Sequence, residues 1–148
     1  MIVLDTNIFY NFLFETELTD KTVKILEFEE PLFTTFTVIN ESLYIISRKI
    51  VEKRFNISSY VKFKEFISNN GYKVLAEDLM KFFRVLDDLN ITVLKDYQEP
   101  FEIWRTMEKY HLLPNDALIV ATCKYYGIRK IATFDEDFKR VEFLEIIK

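Results

Sequence analysis

The sequence predicts an α/β fold of three layers, α/β/α, with a central parallel sheet of four to five strands and a helical insertion between strands two and three. Three observations carry that reading. Short apolar runs of strand length recur at residues 2–4, 32–35, 91–94 and 130–133. Stretches of helical periodicity separate each run from the next, and such connections join parallel strands while the helices cover the faces of the sheet. Two further helical stretches, between residues 58 and 89, both fall between the second and third runs, which makes that crossover long. At 148 residues the chain suits one domain spanning 1–148 with a core of its own.

In chain order, Ile2, Val3 and Leu4 are too few for a helix and fit a strand buried on both faces. A helix follows over 6–14, for which Asp5 or Thr6 is a fitting cap. Thr19 and Asp20 are the expected caps of a helix over 20–29, with Thr22, Ile25, Leu26 and Glu29 on one side, and Pro31 marks its end. Leu32–Thr35 reads as the second strand. A helix over 37–54 places Ile39, Leu43, Ile46 and Ile50 in one row, and Thr37, Glu41, Arg48 and Glu52 in the opposite, polar row. Ser58 or Ser59 opens a helix over 60–69 that stops at Asn69-Asn70-Gly71. The helix over 75–89 carries Leu79, Phe82, Phe83 and Leu86 at core spacing. These two stretches are expected to project from the sheet. Residues 91–94 form the third strand. Pro100 and Pro114 start the helices over 100–111 and 115–126, the second ended by Gly127. Residues 130–133 form the fourth strand, Asp135–Phe138 a turn or a single helical turn, and 143–147 a last strand.

Composition narrows the class. Apolar residues make up 49% and aromatics 16%, which excludes a disordered segment. Two glycines and three prolines leave little room for glycine-rich phosphate loops. No apolar run reaches the ~18 residues of a membrane span, and no signal peptide is expected from the opening residues. Cys123 is the single cysteine, which rules out an intrachain disulfide and a cysteine-rich zinc site, so a reducing cytoplasm is the expected location. A net charge of −4 neither favours nor opposes nucleic acid, because local patches decide phosphate contacts.

The chemistry is expected from carboxylates. Asp5 stands where the first strand leaves the sheet, and ligands of parallel sheets bind outside the carboxyl ends of strands. Asp116 opens an apolar stretch that reads as a buried helix, where a first-turn acid is also favoured by the helix dipole. Asp135 follows the fourth strand, with Asp137 two residues on, and either fits equally well as a turn acid. Glu41 lies in a polar row that fits a solvated face. Taken together the acids say more. If Asp5, Asp116 and Asp135 reach one edge, two such charges about 4 Å apart repel by about 4 kcal/mol at an effective dielectric near 20. A counter-charge is then required, and oxygen-only ligands without His or Cys suit Mg²⁺ or Mn²⁺. The lone His111 reads as a helix-end surface residue.

At this point the chain resembles a known family. Leu4-Asp5-Thr6-Asn7, Glu41 in an early helix, Pro114-Asn115-Asp116-Ala117 and Thr133-Phe134-Asp135-Glu136-Asp137-Phe138 are similar, in order and spacing, to the motifs of PIN-domain nucleases, and within them to the VapC-type toxin ribonucleases. Each motif alone is weak; their succession from residue 2 to 138 is specific. The resemblance implies a PIN-like fold and a divalent-metal-dependent endoribonuclease that hydrolyses RNA phosphodiester bonds. It implies Asp5, Glu41, Asp116 and Asp135 as the catalytic acids, the metal held by Asp5, Asp116 and Asp135, and Asn7 and Thr133 in support. Asp137 competes with Asp135 for the last place, which Asp135 takes here because it follows the strand more closely. A small antitoxin protein and a second copy of the chain are the implied partners, with RNA as substrate and no membrane. Arg48, Lys49, Lys53 and Arg54 are candidates for phosphate contacts, against an ordinary solvated helix face. Two other readings remain open: a phosphatase with Asp5 as nucleophile, although Asn7 stands where a second acid would be wanted, and an inactive RNA- or protein-binding module.

Overall fold

A computed structural model describes all residues 1–148. Five short strands, β1 (Ile2–Leu4), β2 (Leu32–Thr35), β3 (Thr92–Leu94), β4 (Lys130–Ala132) and β5 (Glu145–Ile147), form one sheet in the order β3-β2-β1-β4-β5. Every pairing is parallel. β1 is central, and its three side chains are fully buried, as a strand covered on both faces must be. Its ladder with β4 pairs Val3 with Ile131 and Leu4 with Ala132, and the Asp5 amide extends it by donating to the Ala132 carbonyl at 3.1 Å.

Seven helices fill the connections: α1 (Thr6–Leu13), α2 (Thr19–Leu26), α3 (Phe36–Phe55), α4 (Tyr60–Asn70), α5 (Ala76–Asp88), α6 (Pro100–Tyr110) and α7 (Pro114–Tyr126). The steps from β1 to β2 and from β2 to β3 move outward in one direction, so right-handed crossovers put α1, α2, α3 and α5 on one face. The step from β3 to β4 returns across β1 and puts α6 and α7 on the other face. The packing agrees: α1 contacts α2, α3 and α5, while α6 lies along α7. The direction of winding reverses between β1 and β4, and crevices for ligands open at such reversals.

Several expectations are corrected. The two helices of the long crossover differ. α4 buries Phe63 alone, whereas α5 drives Phe82 and Leu86 into the core, with Phe82 edge-on to Phe9 at 5.2 Å. Neither helix is a free projection: α4 is attached by Phe63, with Phe66 and Ile67 packed against the core, and α5 belongs to the helical layer. Phe83, expected inside, is 37% exposed. α2 ends at Leu26 rather than near residue 29, and Thr19 does not cap it. Its hydroxyl instead donates to the Asn11 carbonyl and accepts from the Thr16 amide, both at 2.9 Å, which ties the α1–α2 turn. The polar row of α3 is not a solvated face at its start: Thr37 is buried and Glu41 is half-buried. The last strand begins at Glu145, because Leu144 is held in a turn by the Val141 carbonyl. Residues Asp137–Arg140 form a single 3-10 turn. Gly71, Gly127 and His111 end their helices with positive φ, the first two where a side chain would be strained.

Candidate active site

Strand endings build the site. β1 delivers Asp5 to the carboxyl edge of the sheet, where it also caps α1 by accepting the Thr6 amide on Oδ1 at 2.7 Å. The capping reading and the functional reading of Asp5 thus coexist. Oδ2 accepts the Asn7 side-chain amide and the Thr133 hydroxyl, each at 2.7 Å. A carboxylate offers about four acceptor positions, so these three bonds leave one on Oδ1.

Thr133, the first residue beyond β4, is fully buried and fully used. Its hydroxyl donates to Asp5 and accepts from the Asn7 side-chain amide at 2.9 Å and the Asp135 backbone amide at 3.0 Å. Asn7 closes the loop by accepting the Phe134 amide on Oδ1 at 3.0 Å. The ends of β1 and β4 are locked together through side chains 126 residues apart, and the lock sets the direction of Asp5 and the course of the chain into Asp135.

Three more acids surround the same space. Asp116 sits in the first turn of α7, whose start carries no side-chain cap. Glu41, in the second turn of α3, accepts the Thr6 hydroxyl at 3.1 Å. Asp135 faces the cavity, and its Oδ1 accepts the Asp137 amide at 2.8 Å. The cavity measures about 300 Å³ and is lined by Asp5, Thr6, Asn7, Tyr10, Glu41, Ile45, Asp116 and Asp135. Asp137 is not in its wall. That carboxylate turns to Arg140, which it meets at 2.5 Å while Arg140 also donates to the His111 carbonyl. Between the two acids that the sequence left in competition, Asp135 is the one beside the cavity.

No lysine or arginine lies within ion-pair distance of the four acids. The cost appears in their protonation. Burial pushes the Asp5 carboxyl up to about 6, against the pull of the Thr133 and Thr6 hydrogen bonds and with the push of the Glu41 and Asp135 charges. Asp116 is also pushed up to about 6, first by burial and then by the charges of Asp5, Asp135, Glu41 and Asp137. The carboxylates stand around the cavity rather than meeting as a closed shell of three. A donor set made only of carboxylate oxygens, mutually repelling and open to a 300 Å³ space, fits a hard divalent cation that keeps part of its water. Imidazole and thiolate are absent, which disfavours zinc.

Two contributors were missed by the sequence reading. Asp96, just beyond β3, accepts the Thr37 amide at 3.2 Å and the Thr37 hydroxyl at 2.9 Å, and so anchors the first turn of α3 that presents Glu41. Its place after a strand, the same signal that marks Asp5, was available to find it. Tyr10, one turn beyond Thr6, forms part of the cavity wall.

Comparison with known proteins identifies relatives of the chain as a whole. A family model described as PIN domain matches residues 2–144. Ribonuclease VapC2 of Methanocaldococcus jannaschii is 38% identical over 149 aligned positions, covering 99% of this chain and 93% of that protein. Ribonuclease VapC6 of the same organism is 41% identical over 101 positions, 68% of this chain and 60% of that protein. Among solved structures, VapC20 of Mycobacterium tuberculosis, described as a Sarcin-Ricin loop cleaving toxin, superposes with a TM-score of 0.68 at 14% identity over 100% of both chains. VapBC2 of Rickettsia felis, bound to promoter DNA, gives 0.62 at 17% identity, covering 99% of this chain and 97% of that one. At such identities the structures speak to the fold alone.

Proposed function

The chain belongs to the PIN-domain family, on its VapC ribonuclease branch, and from that premise we propose that it is a divalent-metal-dependent endoribonuclease using Mg²⁺ or Mn²⁺, the toxin of a toxin–antitoxin pair. The single observation that carries the proposal is the gathering of Asp5, Glu41, Asp116 and Asp135 around one cavity without a cationic side chain. Asp5, Asp116 and Asp135 are the residues to hold the cation. When bound there, such a cation supplies Lewis-acid polarisation of a phosphodiester and acidification of water.

The chain's own groups do the rest. Asn7 and Thr133 fix the rotamer of Asp5 and keep one of its acceptor positions turned to the cavity. The same pair orders residues 133–135, so the acid after β4 is placed by the strand rather than by a free loop. Glu41, oriented by the Thr6 hydroxyl, orients or deprotonates the attacking water, for which its half-buried position suits it. Asp137 supports the turn by donating its amide to Asp135. Asp5 is poorly suited to nucleophilic attack, since three hydrogen bonds hold its two oxygens.

A small antitoxin protein is the expected partner, as a fold neighbour from Klebsiella pneumoniae is a toxin–antitoxin complex, and a homodimer is the expected assembly, with the cytoplasm as its place. No helix is long and apolar enough to cross a membrane. The test is cleavage of single-stranded RNA by purified protein with Mn²⁺ or Mg²⁺, with and without chelator, for the wild type and Asp5→Asn. Cleavage that requires the cation and vanishes in Asp5→Asn is expected. Cleavage indifferent to both, or none under any cation, overturns the proposal.

A further inference from the structure

A second cavity adjoins the acidic one. It measures about 320 Å³ and is lined by Tyr10, Tyr44, Ile45, Arg48, Lys49 and Glu52. Tyr10 and Ile45 line both spaces, so the two form one groove between α1 and α3. Its chemistry changes along its length. Four carboxylates stand at one end; at the other stand two tyrosines and two cations, with Glu52 the single carboxylate. Glu41 and Lys49 are about 12 Å apart along the axis of α3.

The far end is arranged to keep a ring available. Tyr44 is 44% exposed, yet it is held from behind. Phe63 meets it edge-on at 6.0 Å. Arg48 donates to its hydroxyl at 3.0 Å, and the same guanidinium reaches the Ser58 carbonyl and lies 5.5 Å over the Phe63 ring. Arg48 is therefore a positioning residue that pins Tyr44 and the foot of α4. Lys49 meets Glu52 at 3.0 Å and is itself partly exposed. One turn on, the Lys53 ammonium lies 5.2 Å over the Phe14 ring, which packs against Tyr10 at 5.1 Å. Tyr10 and Phe14 are four residues apart on α1, and Lys49 and Lys53 four apart on α3, so each pair shares one face of its helix.

We propose that this groove is a track for single-stranded RNA leading out of the cleavage pocket, with Tyr44 and Tyr10 stacking on bases and Lys49 and Lys53 contacting phosphates. The direction of the track rests on the nuclease reading of the acidic end. Rings that accept any base by its face, interleaved with ammonium groups on flexible stems, suit a polymer of flat bases and charged linkages. A neighbouring carboxylate end, which repels phosphate until a cation bridges it, completes the match.

The test has two arms. The first is fluorescence anisotropy of a labelled eight-nucleotide single-stranded RNA in chelator, where no cleavage occurs. The second is steady-state cleavage of the same RNA with Mn²⁺. Tyr44→Ala is expected to weaken binding by about tenfold and Tyr44→Trp to retain it, which separates stacking from packing. Lys49→Gln is expected to weaken binding severalfold and to lower the salt slope by about 0.7. Both loss variants should raise KM with kcat unchanged, while Lys64→Gln on α4 changes neither. Wild-type binding and KM in Tyr44→Ala and Lys49→Gln, in a protein that cleaves, overturn the track and leave the nuclease. Weakened binding in those variants of a protein that never cleaves does the reverse. Unchanged RNA binding together with lost retention of a co-purifying partner overturns the track in favour of a protein surface.

Discussion

Two clefts lie at opposite ends of α7. The one toward its C-terminus, about 770 Å³, is bordered by Glu102, Arg105, Lys109 and Lys124 of α6 and α7 together with Arg129 and Phe143. The one at its N-terminus, about 300 Å³, holds the four acids. In the larger cleft the α6 acid Glu102 is paired: it meets Lys124 at 2.6 Å and Arg105 at 3.7 Å, and the Lys124 bond holds its carboxyl below the usual range. In the smaller cleft Asp5 and Asp116 are pushed the opposite way with no cation beside them. The volume of a cleft is a poor guide to its chemistry. Charge that the protein leaves uncompensated is the better guide, because folding retains it at a cost.

That contrast can be broken most strongly at Asp5. Asp5→Asn should remove several kcal/mol of transition-state stabilisation, a loss of roughly 10²–10⁴ in kcat/KM for RNA cleavage. A loss under threefold would mean that the acidic cleft is no more functional than the other.

The next effect is on stability. The folded Asp5 carboxyl titrates at about 6 against an ordinary 3.8, so between those values the native state holds the proton that the unfolded chain has lost. Its contribution is most favourable below pH 4 and declines as pH rises through 6, by up to about 3 kcal/mol; the more open Asp116 adds less. Metal-free protein should therefore melt lower at pH 8 than at pH 5, and thermal scans of Asp5→Asn should show a smaller drop. Mn²⁺ at a hundred times its Kd should return about 2.7 kcal/mol at pH 8. An equal pH dependence in both proteins would locate the burden elsewhere.

Thr133→Ala removes the hydroxyl that serves Asp5, Asn7 and the Asp135 amide at once. A loss of about 10–100-fold in metal affinity or activity is expected, readable by Mn²⁺ titration of the cleavage rate. The smallest effect belongs to the larger cleft. Glu102→Gln breaks ion pairs whose lysine and arginine are largely exposed, so a stability change under about 1 kcal/mol and an unaltered cleavage rate are expected.

Much of this was legible in advance because it is local. A three-residue apolar run ending in an acid, a helix opened by proline and closed by glycine, and a threonine just past a strand are all patterns within a few residues. The parallel sheet, the central place of β1 and the positions of α1 and α3 to within a residue or two follow from them. What escaped depends on partners far along the chain. Glu41 and Thr37 read as a solvated row because periodicity cannot reveal that Asp96 and Thr6 meet them across the fold. α4 and α5 looked equivalent because both fall in one long crossover, and only the structure separates them, α4 burying Phe63 alone and α5 Phe82 and Leu86, with Phe82 against Phe9. Asp135 was preferred to Asp137 for following the strand more closely, but the pairing of Asp137 with Arg140 lay beyond what spacing shows.

The Asn7 bridge has a consequence for synthesis. On a ribosome, a chain that has not yet reached Lys130 has an unpaired edge on its first strand and lacks the Thr133 hydroxyl that turns Asp5 into position. On the proposed reading, incomplete products are expected to be inert, with cutting arriving only once the closing strands have emerged and docked.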